Sequence, residues 1–203
     1  MFRPAAVRAG RALSALGRLR LARADDAAAI AAIYAPFVAT SHVSFEEIPP
    51  TPGDVRAILT TAQSTWPWIV CERGTEIVGF VYASPHRARA AYRYSVDTSS
   101  YVHERHRRTG VAQRAYGALF QLLARLRYYN AFAGIALPND ASLALHTSLG
   151  FREIARYANV GFKAGAWHDT VWLQRSLRAL ETPPLEPRPL AALDPSEIAA
   201  CFA

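Results

Sequence analysis

Asp97 to Leu126 constrains this chain more than any other stretch: it reads as a strand, a basic turn and a helix in succession. Apolar residues recur at Ala112, Ala115, Tyr116, Leu119, Leu122, Leu123 and Leu126, the i, i+3, i+4, i+7 spacing of an amphipathic helix. The turn before them is Arg107-Arg108-Thr109-Gly110-Val111-Ala112. A helix start leaves backbone N–H groups without partners and carries the positive end of the helix dipole. With a glycine and two arginines placed there, the turn predicts a site for phosphate or another anion.

At 203 residues the chain fits one domain with a core of its own. Its net charge is +7, and Lys163 is its only lysine. The arginine excess has two readings: a codon bias, or an anionic ligand such as a phosphate-bearing cofactor, a substrate carboxylate or nucleic acid. No aromatic-basic RNA motif or DNA-reading helix supports the last. No apolar run approaches the roughly 18 residues of a membrane span. Cys71 and Cys201 make no disulfide framework and read as free thiols of a reducing compartment, hence a cytoplasmic protein.

Strand and helix patterns alternate along the chain, predicting a mixed α/β fold around one sheet. Residues 1–18 are an Arg/Ala-rich extension, read either as a transit-type segment or as a loosely packed end. Leu19 to Arg23 opens the sheet; Asp25 caps a helix carrying Ile30, Ile33, Tyr34 and Phe37, which Pro36 should end or kink. Thr51-Pro52-Gly53-Asp54 is a helix start with capping-box spacing, followed by Val55, Ile58, Leu59 and Ala62. Trp68–Glu72 and Ile77–Ala83 form a hairpin around Arg73-Gly74. A loop from Pro85 to Tyr92, a strand from Tyr94 to His103, and the turn and helix described above come next. Ala131–Leu137 is a strand, Asn139 or Asp140 caps a helix ending at Gly150, and Phe151–Ala158 and His168–Arg175 close the sheet. Residues 178–203 are a proline-rich tail, flexible or wrapped on the surface, so the folded unit is 19–177.

The chain has no P-loop, no nucleophile elbow and no C-x-x-C. His103-Glu104-Arg105-His106 fails the zinc-motif spacing, so no metal is expected there. What it does carry is Arg107-x-x-Gly110-x-Ala112 after a strand. Then, about thirty residues on, comes Pro138-Asn139-Asp140-x-Ser142-x-x-Leu145-His146-x-x-x-Gly150-Phe151. This pair resembles the GNAT superfamily of acetyl-CoA-dependent N-acetyltransferases. The segments TSHVSFEEIPPT, PHRARAAYRYSVDTSSYV and GFKAGAWHDTVWLQR are similar to the phosphinothricin and methionine-sulfoximine N-acetyltransferase branch, over about Leu19 to Leu177.

The resemblance implies a GNAT fold, a central, mostly antiparallel sheet with splayed strands flanked by helices. It implies acetyl-CoA as cosubstrate, no metal, a small amino-acid-like amine as acceptor, and a homodimer with no nucleic-acid or membrane partner. Backbone N–H groups of Arg107, Arg108, Thr109, Gly110, Val111 and Ala112 would hold the pyrophosphate of coenzyme A. Ser100, Tyr101 and Val102 would bond its pantetheine arm, and Asn139 and Ser142 would touch its other side. For Asn139 the plain alternative is a helix cap. The branch's usual base is a glutamate; the matching residue is Asp97, whose carboxylate sits roughly 1.5 Å further back. It is either the base, with water spanning the gap, or a surface or turn-capping carboxylate. His146 is either a second proton-transfer residue or a satisfied core histidine. Of the other histidines, His42, His86, His103 and His168 are read as lying at the surface or behind the residues that touch substrate. Arg89 matches a carboxylate clamp, with Tyr92 and Phe45 as apolar walls; its plain alternative is one more exposed arginine. Two other outcomes stay open: acetyl transfer to a different amine, including a protein N-terminus, and a catalytically weak acyl-CoA-binding sensor.

Overall fold

The structure, a computed structural model, describes residues 17–62 and 64–202; the extension up to residue 16 lies outside the described residues. Its strands are β1 (Arg18–Leu21), β2 (Trp68–Arg73), β3 (Glu76–Pro85), β4 (Ser95–Val102), β5 (Asn130–Ala136), β6 (Arg152–Lys163) and β7 (Ala166–Ser176). Its α-helices are α1 (Ala27–Thr40), α2 (Pro52–Ala62), α3 (Val111–Arg125), α4 (Asp140–Ser148) and α5 (Pro195–Ala199). The strands form one sheet in the order β1-β2-β3-β4-β5-β7-β6. Every pairing is antiparallel except β4 with β5.

The sheet separates two apolar layers. On one face α3 buries Val111, Ala115, Tyr116, Leu119, Leu122 and Leu123, and Leu126 just beyond its end is buried with them. On the other face Ile30 and Ile33 of α1 and Val55 and Leu59 of α2 meet Trp68, Val70 and Phe80. Each fully buried Leu or Ile contributes about 1.5–3 kcal/mol, so α3 is held mainly by its face. Ile58 departs from the expected pattern: it lies 41% exposed, on the solvent side of α2.

Two helix boundaries also differ from the sequence reading. Asp26, not Asp25, starts α1. Its carboxylate accepts from Arg23 N at 2.7 Å and from the Arg20 guanidinium at 2.7 and 2.8 Å, tying β1 to the helix. Pro36 neither ends α1 nor breaks it, since the helix runs on to Thr40. A proline this late forfeits one backbone bond, and the final turn is satisfied from elsewhere. Thr40 Oγ1 donates to Pro36 O at 2.8 Å, Ser41 Oγ to Phe37 O at 2.7 Å, and Lys163 Nζ to Val38 O at 2.7 Å. At α2 the capping box forms as its spacing predicts: Thr51 N donates to Asp54 Oδ2 at 2.8 Å and Asp54 N to Thr51 Oγ1 at 3.2 Å.

The proline-rich tail packs rather than trailing free. Leu190, Leu193 and Cys201 are buried against the core that contains α3. Arg188 N donates to Leu126 O at 3.1 Å, and Glu186 accepts from Arg93 Nε and Nη2 at 2.8 and 2.6 Å. No helix among the described residues is long and apolar enough to cross a membrane.

Candidate active site

The site begins where the sheet opens. β4 pairs with β5 only from Ser95–Asn130 to Asp97–Phe132. Beyond that point β4 keeps its pairing with β3 as far as Val102–Gly79, while β5 continues beside β7. The two parallel strands part, and Thr98 Oγ1 bridges the apex by donating to Phe132 O at 3.1 Å. One backbone edge of β4, including Ser100, Tyr101 and Val102, thus borders a wedge that no strand fills among the described residues.

The basic turn follows directly on the splayed end of β4. Arg108 (φ 61°) and Gly110 (φ 81°) are left-handed, and Gly110 is the residue before α3. No side chain among the described residues caps this helix start, and Arg114 N→Gly110 O, at 3.0 Å, is its first helical bond. The N–H groups of Val111 and Ala112 therefore precede the helical ladder and can meet an anion. Arg73 braces the turn from the neighbouring hairpin: its Nη2 donates to Thr109 Oγ1 at 3.2 Å and its Nη1 to His106 Nδ1 at 3.1 Å. Arg107 lies over the Phe37 ring at 4.9 Å. The residues fit the diphosphate of coenzyme A: an uncapped helix start, left-handed turns and local positive charge.

The same turn brings Glu76, His103 and His106 together, with ligand-type atoms within 4.8 Å of one another. His106 turns Nε2 toward Glu76 Oε2 at 3.8 Å, and its Nδ1 meets the Arg73 guanidinium.

Asp97 stands at the apex. Its Oδ1 is 2.6 Å from His86 Nδ1. Burial pushes the Asp97 carboxyl above its usual 3.8, against the opposing pull of His86 and Arg87. His86 is no surface histidine: its side chain is 11% exposed and stacks on Phe132 at 4.1 Å and 13°. Trp172 and Tyr92 meet it edge-on at 5.9 and 6.0 Å. His86 is the main residue that sequence reasoning undervalued. The signal available was register: Ser84 lies opposite Asp97 in the β3–β4 pair, so His86 emerges beside that carboxylate.

His146 belongs to the core. It is 5% exposed; its Nδ1 lies 2.8 Å from Ser142 O and its Nε2 3.1 Å from Tyr116 Oη. A carbonyl can only accept, so Nδ1 carries the proton and Nε2 accepts from Tyr116. Both ring nitrogens are engaged, which leaves no lone pair for a substrate proton and corrects the reading of His146 as a proton-transfer residue. Burial pushes its pKa below the usual 6.5. Asn139 is the cap of α4, its Oδ1 accepting from Ser142 N at 3.2 Å.

The three residues expected to bind substrate lie on two loops. Arg89 and Tyr92 are exposed and line a cavity of about 330 Å³ with His86 and the tail residues Glu186 to Pro189. Phe45 instead packs on Gly161, where an added Cβ would lie 2.4 Å from its ring, and approaches His168 at 6.4 Å. Its loop is held by Lys163, whose Nζ donates to Ser44 O at 2.7 Å and Glu46 O at 2.6 Å as well as to Val38 O. Lys163 was also missed as a site residue; the signal was a lone lysine in a chain that otherwise uses arginine.

The profile of the Acetyltransferase (GNAT) family matches residues 35–151. The chain belongs to the GNAT acetyltransferase family. It is 35% identical over 175 residues to a phosphinothricin N-acetyltransferase of Streptomyces viridochromogenes, covering 86% of this chain and 95% of that one. A Salmonella typhimurium L-methionine sulfoximine/L-methionine sulfone acetyltransferase is 33% identical over 112 residues, 55% of this chain and 66% of the relative. Among solved structures, the phosphinothricin acetyltransferase of Sinorhizobium meliloti in complex with acetyl-CoA superposes with a TM-score of 0.74. It is 31% identical, over 78% of this chain and 86% of that one. The expected GNAT architecture is thus present, and acetyl-CoA is the cosubstrate of this N-acetyltransferase.

Proposed function

We propose that this GNAT enzyme moves acetyl from acetyl-CoA to the amino group of a small amino-acid-like acceptor of the phosphinothricin, methionine sulfoximine or methionine sulfone type. The observation that carries the reading is the placement of Asp97 at the point where β4 and β5 part. A carboxylate with a hydrogen-bonded imidazole there meets the first need of the reaction, removal of a proton from an ammonium so that nitrogen can attack. The uncapped turn Arg107 to Ala112 holds the diphosphate, and the open edge Ser100 to Val102 hydrogen-bonds the pantetheine arm. Asn139 and Ser142 flank the cofactor from α4. Arg89 pairs with the acceptor carboxylate, and Tyr92 and Phe45 wall its apolar part. The relatives' named substrates and the match of three loop segments support this acceptor class.

The enzyme works as a homodimer in the cytoplasm. The support for a dimer is the outer edge of the sheet, where Ile154, Val160, Phe162 and Trp167 are 50–62% exposed. Large apolar side chains exposed on the β6–β7 hairpin at the sheet's edge call for a partner. Acetyl-CoA consumption with phosphinothricin, methionine sulfoximine and methionine sulfone tests the activity; no acetylation of any of them defeats the acceptor class. Sedimentation equilibrium tests the dimer, and a monomer at micromolar concentration defeats it.

A further inference from the structure

We propose that His86, through Nε2, is the group that takes the proton from the acceptor ammonium, and that Asp97 acts by orienting His86. The inference rests on the acetyl-transfer reading above and deepens it. Asp97 is one methylene shorter than the glutamate expected in its place, and its Oδ1 is occupied by His86 Nδ1 at 2.6 Å. A carboxylate accepts, so Nδ1 carries the hydrogen and the Nε2 lone pair is left to act as base. Among the described residues no hydrogen bond engages Nε2. The ring cannot swing freely, because it is stacked on Phe132 at 4.1 Å and bounded edge-on by Trp172 and Tyr92. A base held in one tautomer by a carboxylate, with its second nitrogen available, is the arrangement that makes an imidazole effective in proton transfer. The imidazole restores the reach that the shorter acid lacks.

The surroundings favour this assignment. The charged and titratable groups near the ring are Asp97 on β4, Arg87, Arg89, Tyr92 and Arg93 of the loop, and Glu186 and Arg188 of the tail. β5 and β7 contribute the uncharged rings of Phe132 and Trp172. Asp97 alone among these is hydrogen-bonded to the His86 ring; Arg87 Nη1 donates to the His86 carbonyl at 2.8 Å, and Glu186 is engaged by Arg93 and Tyr94. In the reaction His86 Nε2 accepts one proton from the ammonium. The neutral amine nitrogen then bonds to the acetyl carbonyl carbon as the carbon–sulfur bond breaks. The thiolate released takes up the second proton shed by that nitrogen, giving amide and free thiol. His86 returns its proton to solvent.

The test uses the full chain and two acceptors, methionine sulfone and its α-aminooxy analogue, whose nucleophile is already neutral at pH 7. His86→Phe keeps a ring on Phe132 and removes the base. His86→Gln keeps a polar group that cannot take the proton. Both are expected to lower kcat/KM for methionine sulfone by about a hundredfold or more, to move the acid limb of its pH profile up toward the amine's own titration, and to leave acetyl-CoA affinity and the aminooxy rate near those of the wild type. A far-downfield imidazole N–H proton resonance is expected in the wild type without any substrate, and is expected to vanish in His86→Phe and in Asp97→Asn. Equal losses on both acceptors, or no loss on either, overturn His86 as base while acetyl transfer stands. A wild type that binds acetyl-CoA but acetylates no acceptor overturns the acetyl-transfer reading and the base with it, even with the resonance present.

Discussion

Lys163 offers a direct test of how the loop carrying Phe45, proposed to wall the acceptor, is held. Its ammonium donates to three carbonyls: Val38 O at the end of α1, and Ser44 O and Glu46 O on either side of Phe45. Hydrogen bonds to a charged group are worth about 1.5–3 kcal/mol each. The bond to Glu46 O is exposed, and water replaces it readily when the ammonium is lost. The other two are partly buried, and the charge also faces the negative end of the α1 dipole. Against this stands the rotamer freedom of the lysine, up to about 2 kcal/mol. Lys163→Met keeps the apolar stem and should cost about 3 kcal/mol, a fall in Tm of roughly 6–12 °C for a chain of this size. Lys163→Arg should recover less than half, since a planar fork cannot point three donors at three carbonyls set around a tetrahedral centre. The assay is thermal and urea unfolding, paired with steady-state kinetics. KM for the amine should rise several-fold while KM for acetyl-CoA stays unchanged, because the diphosphate turn is built from other residues. A Met variant that melts with the wild type and keeps its amine KM refutes the reasoning.

Three further outcomes follow from single positions. Gly161→Ala places a Cβ 2.4 Å from the Phe45 ring and must displace it; amine KM should rise with little change in that for acetyl-CoA, read from the same kinetics. Gly110→Ala forces a side chain into φ 81° at the start of α3, a strain of about 1–2 kcal/mol; calorimetry should show acetyl-CoA affinity reduced about tenfold, and an unchanged affinity counts against the turn as the diphosphate site. Burial lowers the His146 pKa below 6.5, so below that pH the unfolded chain binds more protons than the native one. The stability this contributes is complete above 6.5 and is lost as pH falls toward the lower native value. His146→Leu should therefore flatten the slope of unfolding free energy between pH 7 and 5 in urea titrations, and an unchanged slope contradicts a neutral buried His146.

Patterns that repeat within one element could be read from the chain. The apolar series from Ala115 to Leu123 is the buried face of α3, and the Thr51–Asp54 capping box forms. What depends on contacts between elements could not. Val55, Ile58 and Leu59 look alike in sequence, but only the packing of α2 on the sheet shows that Ile58 points outward. The tail's prolines concealed that Leu190 and Leu193 reach the core. The glycine-bearing start of α3 was legible because a turn glycine and the helical pattern behind it act locally. The His86–Asp97 pair was not, because it requires the register of β3 against β4 and the ring of Phe132 from a third strand.

The alternation of β4 explains how one short strand serves both the core and the open wedge. Val96 and Thr98 are buried, and the Thr98 and Ser100 hydroxyls bear on Tyr116, which in turn meets His146. Asp97, Ser99 and Tyr101 project to the other face, where they meet His86, Tyr82 and the rings of Tyr34 and Phe37. Successive side chains point to opposite faces, so a slip of one residue would exchange the two sets completely. The carboxylate would then be buried under α3 and a valine would take its place beside His86. The seven-residue register of β4 on β3, from Val96–Pro85 to Val102–Gly79, guards against that slip. Pairing with β5 can therefore end after three residues without loss of registry, and the wedge opens at little cost in order. The same strand that anchors the core on one face thus presents a fixed carboxylate and an unpaired backbone edge where the sheet parts.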